Sequence, residues 1–208
     1  MNQYKQGAFF SYNFVGENSW NGYERKCLFA NIGNGQFMDV ARPTGSDGIK
    51  DGRGVAVADL NGDGKLDLVI NNNNMSPTVY LNQVRKNGNS VVMKLSGKMP
   101  SNSDAIGTQV RLTIAGKTIM RQVEAGSGFA SEVMLPVHFG LGSATRIEAV
   151  EIKWPSGRLE RFDSTQTKNW INSRVRIEEG NGRASEVTPD RQPAGVMASR
   201  DKANGPPM

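Results

Sequence analysis

The sequence has 208 residues, 37% hydrophobic and 22% charged, a composition that excludes an intrinsically disordered chain and suits one domain or two small ones. The net charge is +5, but the basic residues are scattered, so we expect no nucleic-acid partner. The single cysteine, Cys27, and the single histidine, His138, exclude an intrachain disulfide, a four-cysteine zinc site and a multi-histidine metal site. The sequence contains no run of 18 apolar residues, so we also expect no membrane span.

Glycine accounts for 24 residues, well above the roughly 7% of average proteins, which disfavours a helical bundle and predicts an all-β chain. In the first zone, residues 1–89, short apolar runs alternate with turns rich in Gly and Asn. A Gly-Asn-Gly segment at 33–35 lies between two such runs and predicts a β-hairpin. Further strands are predicted at 54–58, 66–70 and 78–81.

The second zone, residues 90–180, has the pattern of a compact β domain. Residues 108–114 alternate polar and apolar side chains with period two, as a half-buried strand does. About seven short strands with regular turns predict a β-sandwich or barrel. Residues 181–208 contain four prolines and no periodicity, so we predict a disordered tail.

Nine residues between two predicted strands have the pattern of a calcium-binding loop. Acidic or amide side chains occupy its positions 1, 3, 5 and 9, and Ca²⁺ takes about six to eight oxygen ligands. Glycines at positions 4 and 6 permit the sharp bends that wrapping around an ion requires. Position twelve is Ile70 and not the Glu of an EF-hand, so we predict a calcium loop of β-hairpin type. The predicted ligands are the side chains of Asp59, Asn61, Asp63 and Asp67 and the backbone carbonyl of Lys65.

The simplest alternative is a polar turn that binds no ion, because Asp, Asn and Gly are common in turns for local reasons. Three acids and an amide at this spacing favour the metal site. We expect the ion to stabilise the hairpin by neutralising the three carboxylates. The ammonium group of Lys65 is expected to point away from it.

The segment 54–70 resembles an FG-GAP (VCBS-type) repeat, and 28–37 resembles the strand pair that ends a preceding blade. Such repeats are the blades of integrin-α-like β-propellers. The resemblance implies calcium in the loop that begins at Asp59. It also implies that residues 1–89 hold about one and a half blades, where such propellers usually have seven. We therefore expect this region to be incomplete alone, and to be capped, partnered or part of a longer chain.

The second zone resembles the ASPIC/UnbV domain in four ordered segments, 103–110, 126–129, 138–142 and 154–157. Together the two resemblances imply a calcium-dependent, non-catalytic module that contacts a protein or glycan partner. They also imply an extracellular, periplasmic or cell-surface location. The chain itself begins without the long apolar core of a secretory signal peptide.

Two other functions remain open: an enzyme or accessory protein of a biosynthetic pathway, and a subunit that completes a larger multichain complex. His138 is a candidate general base, but the sequence contains no Gly-x-Ser-x-Gly nucleophile motif, so we predict a structural role for it. Trp154, beside a Pro-Ser-Gly turn, is predicted to be a packing anchor.

Overall fold

A computed structural model describes residues 24–73, 75–84, 88–126, 131 and 136–189. These residues form β-strands and one short helix, which confirms the all-β prediction. The elements of the first part are β1 Phe29–Gly33, β2 Gln36–Asp39, α1 Ala41–Thr44, β3 Gly52–Ala58, β4 Asp67–Asn72 and β5 Met75–Tyr80. The second part has β6 Asn89–Ser96, β7 Gln109–Ile114, β8 Lys117–Gln122, β9 Val137–Gly142, β10 Ala149–Lys153, β11 Leu159–Asp163, β12 Ser173–Glu178 and β13 Ala184–Pro189.

The first part, residues 24–84, is called the blade region below and consists of two small antiparallel sheets. Strands β1 and β2 form a hairpin, as predicted. Asn34 and Gly35 in its turn have φ of 52° and 73°, the positive values that two-residue hairpin turns require and that Asn-Gly sequences adopt easily. Strands β3, β4 and β5 form a separate sheet in sequence order. The predicted loop joins β3 to β4 and is closed by the pairing of Ala58 with Asp67.

The second part is called the sandwich and consists of two four-stranded sheets, with strand orders β11-β10-β7-β8 and β13-β12-β6-β9. Neither sheet closes into a barrel, so the sandwich alternative is the correct one. Strand β12 lies parallel to β6, and the other pairs are antiparallel. Apolar side chains from both sheets form one buried cluster, which includes Phe139, Ile152 and Phe162. Trp154 is 1% exposed within this cluster, which confirms its predicted packing role.

The predicted disordered tail is wrong for residues 184–189, which form β13 and pair antiparallel with β12. Their sequence gives little hydrophobic signal, because β13 is an edge strand whose side chains are almost all exposed. The backbone hydrogen bonds between β13 and β12 do not depend on the polarity of the side chains, so a polar segment can form an edge strand. In the register of this pair, Val187 stands opposite Val175. Residues 190–208 lie outside the described residues. Among the helices that the structure describes, none has the length and apolar character needed to span a bilayer.

Candidate functional site

The candidate site is the loop of residues 59–67, which lies between the β3-β4-β5 sheet of the blade region and the sandwich. Its three acidic side chains are almost completely buried. The exposed fraction is 4% for the side chain of Asp59, 3% for that of Asp63 and 1% for the residue Asp67. Burying a carboxylate is costly unless hydrogen bonds and opposite charges compensate it, so the partners of these groups determine what the loop can do.

The carboxylate of Asp59 organises the first half of the loop. Its Oδ1 accepts hydrogen bonds from the backbone N–H groups of Gly62 at 2.8 Å and Asp63 at 3.1 Å. Its Oδ2 accepts the N–H of Gly64 at 3.0 Å. The backbone thus folds around this side chain, which is the local reason why an Asp stands at the first position of the loop.

The carboxylate of Asp67 closes the second half. Its Oδ2 accepts the N–H of Leu60 at 2.9 Å, and its Oδ1 accepts the N–H of Asn82 at 2.8 Å. The second bond connects the loop to the segment that follows β5. Sequence reasoning gave no role to Asn82, since a backbone donor fifteen residues away leaves no pattern in the sequence.

The carboxylate of Asp63 contacts the side chains of two other predicted metal ligands, Asn61 and Lys65. Its Oδ2 accepts a hydrogen bond from Asn61 Nδ2 at 3.3 Å and lies 3.0 Å from Lys65 Nζ. Burial raises the pKa of Asp63, but the hydrogen bonds from Lys65 and Asn61 outweigh burial and hold that pKa below its usual value. The prediction that the ammonium group of Lys65 points away is therefore wrong, because a buried carboxylate two residues away attracts it.

Three contacts across the junction join the blade region to the sandwich. Arg174 of β12 forms a salt bridge with the Oδ2 of Asp59 through its Nη2. His138 Nε2 of β9 is hydrogen-bonded to the carbonyl oxygen of Gly64 at 2.9 Å. The backbone N–H of Val55 donates to Ser131 Oγ at 2.8 Å. His138 therefore contacts the loop backbone, a partner that the sequence did not identify, and its structural role stays a prediction.

These contacts bring the loop and the sandwich together over sequence separations of 74 to 115 residues. The role of Arg174 had no sequence signal, because β12 contains two arginines, Arg174 and Arg176, at alternate positions. Only the tertiary fold distinguishes the one that faces Asp59.

The loop contains donors suited to a hard cation: three carboxylates, one amide oxygen and backbone carbonyls. Within the described part of the chain, however, no three His, Cys, Asp or Glu side chains are arranged as a group that could hold a metal ion. The carboxylates face N–H groups, Lys65 and Arg174. The residue types fit Ca²⁺, whereas the observed arrangement is one in which protein cations compensate the acids. Calcium binding by Asp59, Asn61, Asp63, Lys65 and Asp67 stays a prediction.

Two protein-family models match the chain, in the order that the motifs predicted. The model described as an FG-GAP-like repeat matches residues 14–70, and the model described as ASPIC and UnbV matches residues 97–184. The first match contains the candidate loop, and the second covers β7 to β12 entirely.

Similar curated proteins are cartilage acidic protein 1 from three vertebrates. The Xenopus tropicalis protein is 48% identical over 62 residues, which are 29% of this chain and 9% of that protein. The Mus musculus protein is 51% identical over 55 residues, 26% of this chain and 8% of its own length. The Homo sapiens protein is 29% identical over 110 residues, 52% of this chain and 16% of its own length. The chain thus aligns with at most 16% of the length of these relatives, and its residues 14–70 and 97–184 match the FG-GAP-like repeat model and the ASPIC and UnbV model in that order.

Proposed function

We propose that this protein is a calcium-binding, non-catalytic interaction module that works outside the cytoplasm and contacts a protein or glycan partner. The observation that carries the calcium part is the burial of three carboxylates within nine residues, at the junction of the two regions. Asp59, Asn61, Asp63 and Asp67 would supply side-chain oxygens, and Lys65 its carbonyl. A bound divalent cation would supply positive charge to the loop.

The stabilising effect follows from charge compensation. Lys65 and Arg174 bring two positive charges to three carboxylates. A divalent cation bound at Asp59 would take the place of Arg174, and together with Lys65 it would bring three positive charges to the three carboxylates. Because a ligand that binds only the folded state stabilises it by mass action, saturation at about 100 times the dissociation constant adds about 2.7 kcal/mol to the free energy of unfolding.

Calcium titration tests this function directly. We expect isothermal calorimetry to detect Ca²⁺ binding, and we expect the melting temperature to rise in millimolar Ca²⁺ and fall in chelator. The variant Asp63→Asn should lose most of both effects, while Asp104→Asn, at an exposed position in the sandwich, should retain them. An absence of binding heat together with an unchanged melting temperature in the wild-type protein would overturn the calcium assignment.

The interaction part is supported by apolar side chains that the blade region leaves exposed. Phe29, Ile32, Phe37 and Met38 of the β1–β2 hairpin are each more than half exposed. The register places Phe37 on one face of the hairpin and Met38 on the other, so both faces leave apolar side chains available to a partner.

The same exposed hairpin favours the second candidate function, a subunit that completes a larger multichain assembly. If that candidate is correct, the protein should co-purify with a second chain from its native source. The variant Phe37→Ser should weaken that association without lowering the melting temperature of the isolated protein. A monomeric protein by light scattering with no co-purifying chain would reject the candidate.

A further inference from the structure

A cleft of about 400 Å³ lies between the candidate loop and the outer face of the sheet β13-β12-β6-β9. Basic side chains of two neighbouring strands line it. In the parallel pairing of β6 with β12, Arg176 stands opposite Lys94, and Arg174 is two residues before Arg176. Because residues two apart in a strand face the same side of the sheet, the three cations share this face.

The charges of the cleft are unequally compensated. Arg174 pairs with the buried Asp59, and Arg176 Nε lies 3.8 Å from Glu186 Oε2 in a loose pair with both side chains about half exposed. Lys94 is exposed and makes no ion pair or hydrogen bond with any residue that the structure describes. Exposed ion pairs of this length contribute little, so Arg176 and Lys94 are both accessible to a carboxylate ligand.

Aliphatic side chains lie next to these cations. Leu60, the second residue of the loop, is 49% exposed, and Pro136 also lines this part of the cleft. Val92 belongs to the same lining but is only 5% exposed. A ligand that carries acidic groups beside aliphatic groups matches such a lining. An extended peptide with alternating acidic and aliphatic side chains has this chemistry, whereas a sulfated glycan offers anionic groups without aliphatic side chains.

We propose that this cleft binds an acidic, aliphatic peptide segment of a partner protein, with Lys94 and Arg176 as the anchors for its carboxylates. The proposal rests on the proposed function in one respect only, the role of calcium. A divalent cation bound at Asp59 competes with Arg174 for the same carboxylate. Arg174 is then free to face the cleft, so the peptide binds more tightly when the loop holds Ca²⁺.

The test measures the fluorescence anisotropy of a dye-labelled peptide in which Glu and Leu alternate, added to the whole protein. A peptide with Gln in place of Glu is the matched control. We expect the Glu peptide to bind, and we expect Lys94→Gln and Arg176→Gln each to weaken its binding about fivefold or more. Lys153→Gln, which removes an exposed lysine from the opposite sheet, should leave the affinity unchanged. Circular dichroism confirms that each variant is folded.

Three results would overturn the proposal. One is no binding of the Glu peptide, and another is equal binding of the Gln peptide. The third is binding that Lys153→Gln weakens as much as Lys94→Gln does. A heparin oligosaccharide is titrated in parallel, and if it binds through Lys94 and Arg176 where the Glu peptide does not, the cleft is a glycan site and the peptide proposal is wrong.

Calcium forms a separate arm of the same experiment. We expect wild-type protein to bind the Glu peptide several-fold more tightly in Ca²⁺ than in chelator, and Arg174→Gln to remove this difference. Calorimetry with Ca²⁺ alone reports on the proposed function independently. If Ca²⁺ binds but the peptide does not, the cleft proposal fails and the proposed function stands. If the peptide binds through Lys94 and Arg176 but Ca²⁺ does not bind, the calcium role fails and the peptide site remains.

Discussion

The blade region and the sandwich bury different kinds of side chain. The sandwich encloses one cluster of apolar residues contributed by both of its sheets. Among the described residues of the blade region, the buried apolar side chains are Ala41 and Ala58, while Asp51, Asp63 and Asp67 are buried as well. Burial of apolar area contributes about 25 cal/mol per Å², so a region with so small a core gains little from it.

This difference indicates what stabilises each region. The sandwich has the hydrophobic core of an independent domain. The blade region relies on hydrogen bonds and ion pairs, each with a net contribution of about 1 kcal/mol, and two of these come from Arg174 and His138 of the sandwich. The blade region is therefore the part of the molecule whose stability should respond to ions, to loop mutations and to contact with another surface.

The largest expected effect comes from opening the sandwich core. Phe139→Ala removes a ring that is fully buried, so we expect the free energy of unfolding to fall by about 3–5 kcal/mol in urea titrations. Phe37→Ala deletes a phenylalanine ring from the blade region, where Phe37 is 62% exposed. This variant should change the free energy of unfolding by no more than about 0.5 kcal/mol. Similar losses for both variants would contradict the contrast between the regions.

Removing a buried carboxylate tests the polar character of the blade region. Asp67→Ala leaves the N–H groups of Leu60 and Asn82 without their acceptor, which should cost about 1–3 kcal/mol in local stability. Hydrogen exchange in chelator should show faster exchange at these two amides, with the sandwich strands unaffected. Asp104→Ala, at an exposed site, should leave both amides protected. Uniform acceleration across the sandwich would show that the regions unfold as one unit.

The junction between the regions is tested by a double-mutant cycle. Asp59→Asn and Arg174→Gln should show a coupling free energy of about 1 kcal/mol, reduced from that of a buried pair because the arginine side chain is 35% exposed. Thermal unfolding of the four proteins in chelator provides the measurement. Strictly additive effects would mean that this salt bridge does not couple the regions.

The smallest expected effect is a pH dependence located in the sandwich. Burial raises the pKa of Glu179, but hydrogen bonds from Ser156 Oγ and the N–H of Lys98 outweigh burial and lower it below the ordinary 4.5. A lowered native pKa contributes stability that is complete above pH 4.5 and is lost as the pH falls through the native value.

Glu179→Gln should therefore lower stability at neutral pH and flatten the acid side of the stability profile below pH 4.5. The profile is obtained from urea unfolding at a series of pH values. Glu124→Gln, at an exposed position, should keep the wild-type slope. An unchanged acid slope in Glu179→Gln would remove this carboxylate from the acid response.

Local patterns were sufficient to predict most of the strands. The Asn-Gly turn at 34–35 predicted the first hairpin, and the alternation at 108–114 predicted β7, because both signals depend on neighbouring residues. Strand β13 was missed because an exposed edge strand needs only a backbone partner. The loop acids were found from their spacing, but the position of the Lys65 ammonium group was predicted wrongly, since the spacing says nothing about the burial of Asp63.

The sequence by itself determined the all-β class, the order of the two regions and the nine-residue loop, because these depend on short-range periodicity and turn chemistry. Only the tertiary structure decided that the loop lies against the sandwich, that Arg174 neutralises Asp59 and that His138 binds the carbonyl of Gly64. It also placed Lys94 and Arg176 across the cleft from the loop. His138 and Gly64 are 74 residues apart in the sequence, and Arg174 and Asp59 are 115 residues apart. Contacts over such separations form only when whole sheets pack together, so short sequence patterns do not predict them.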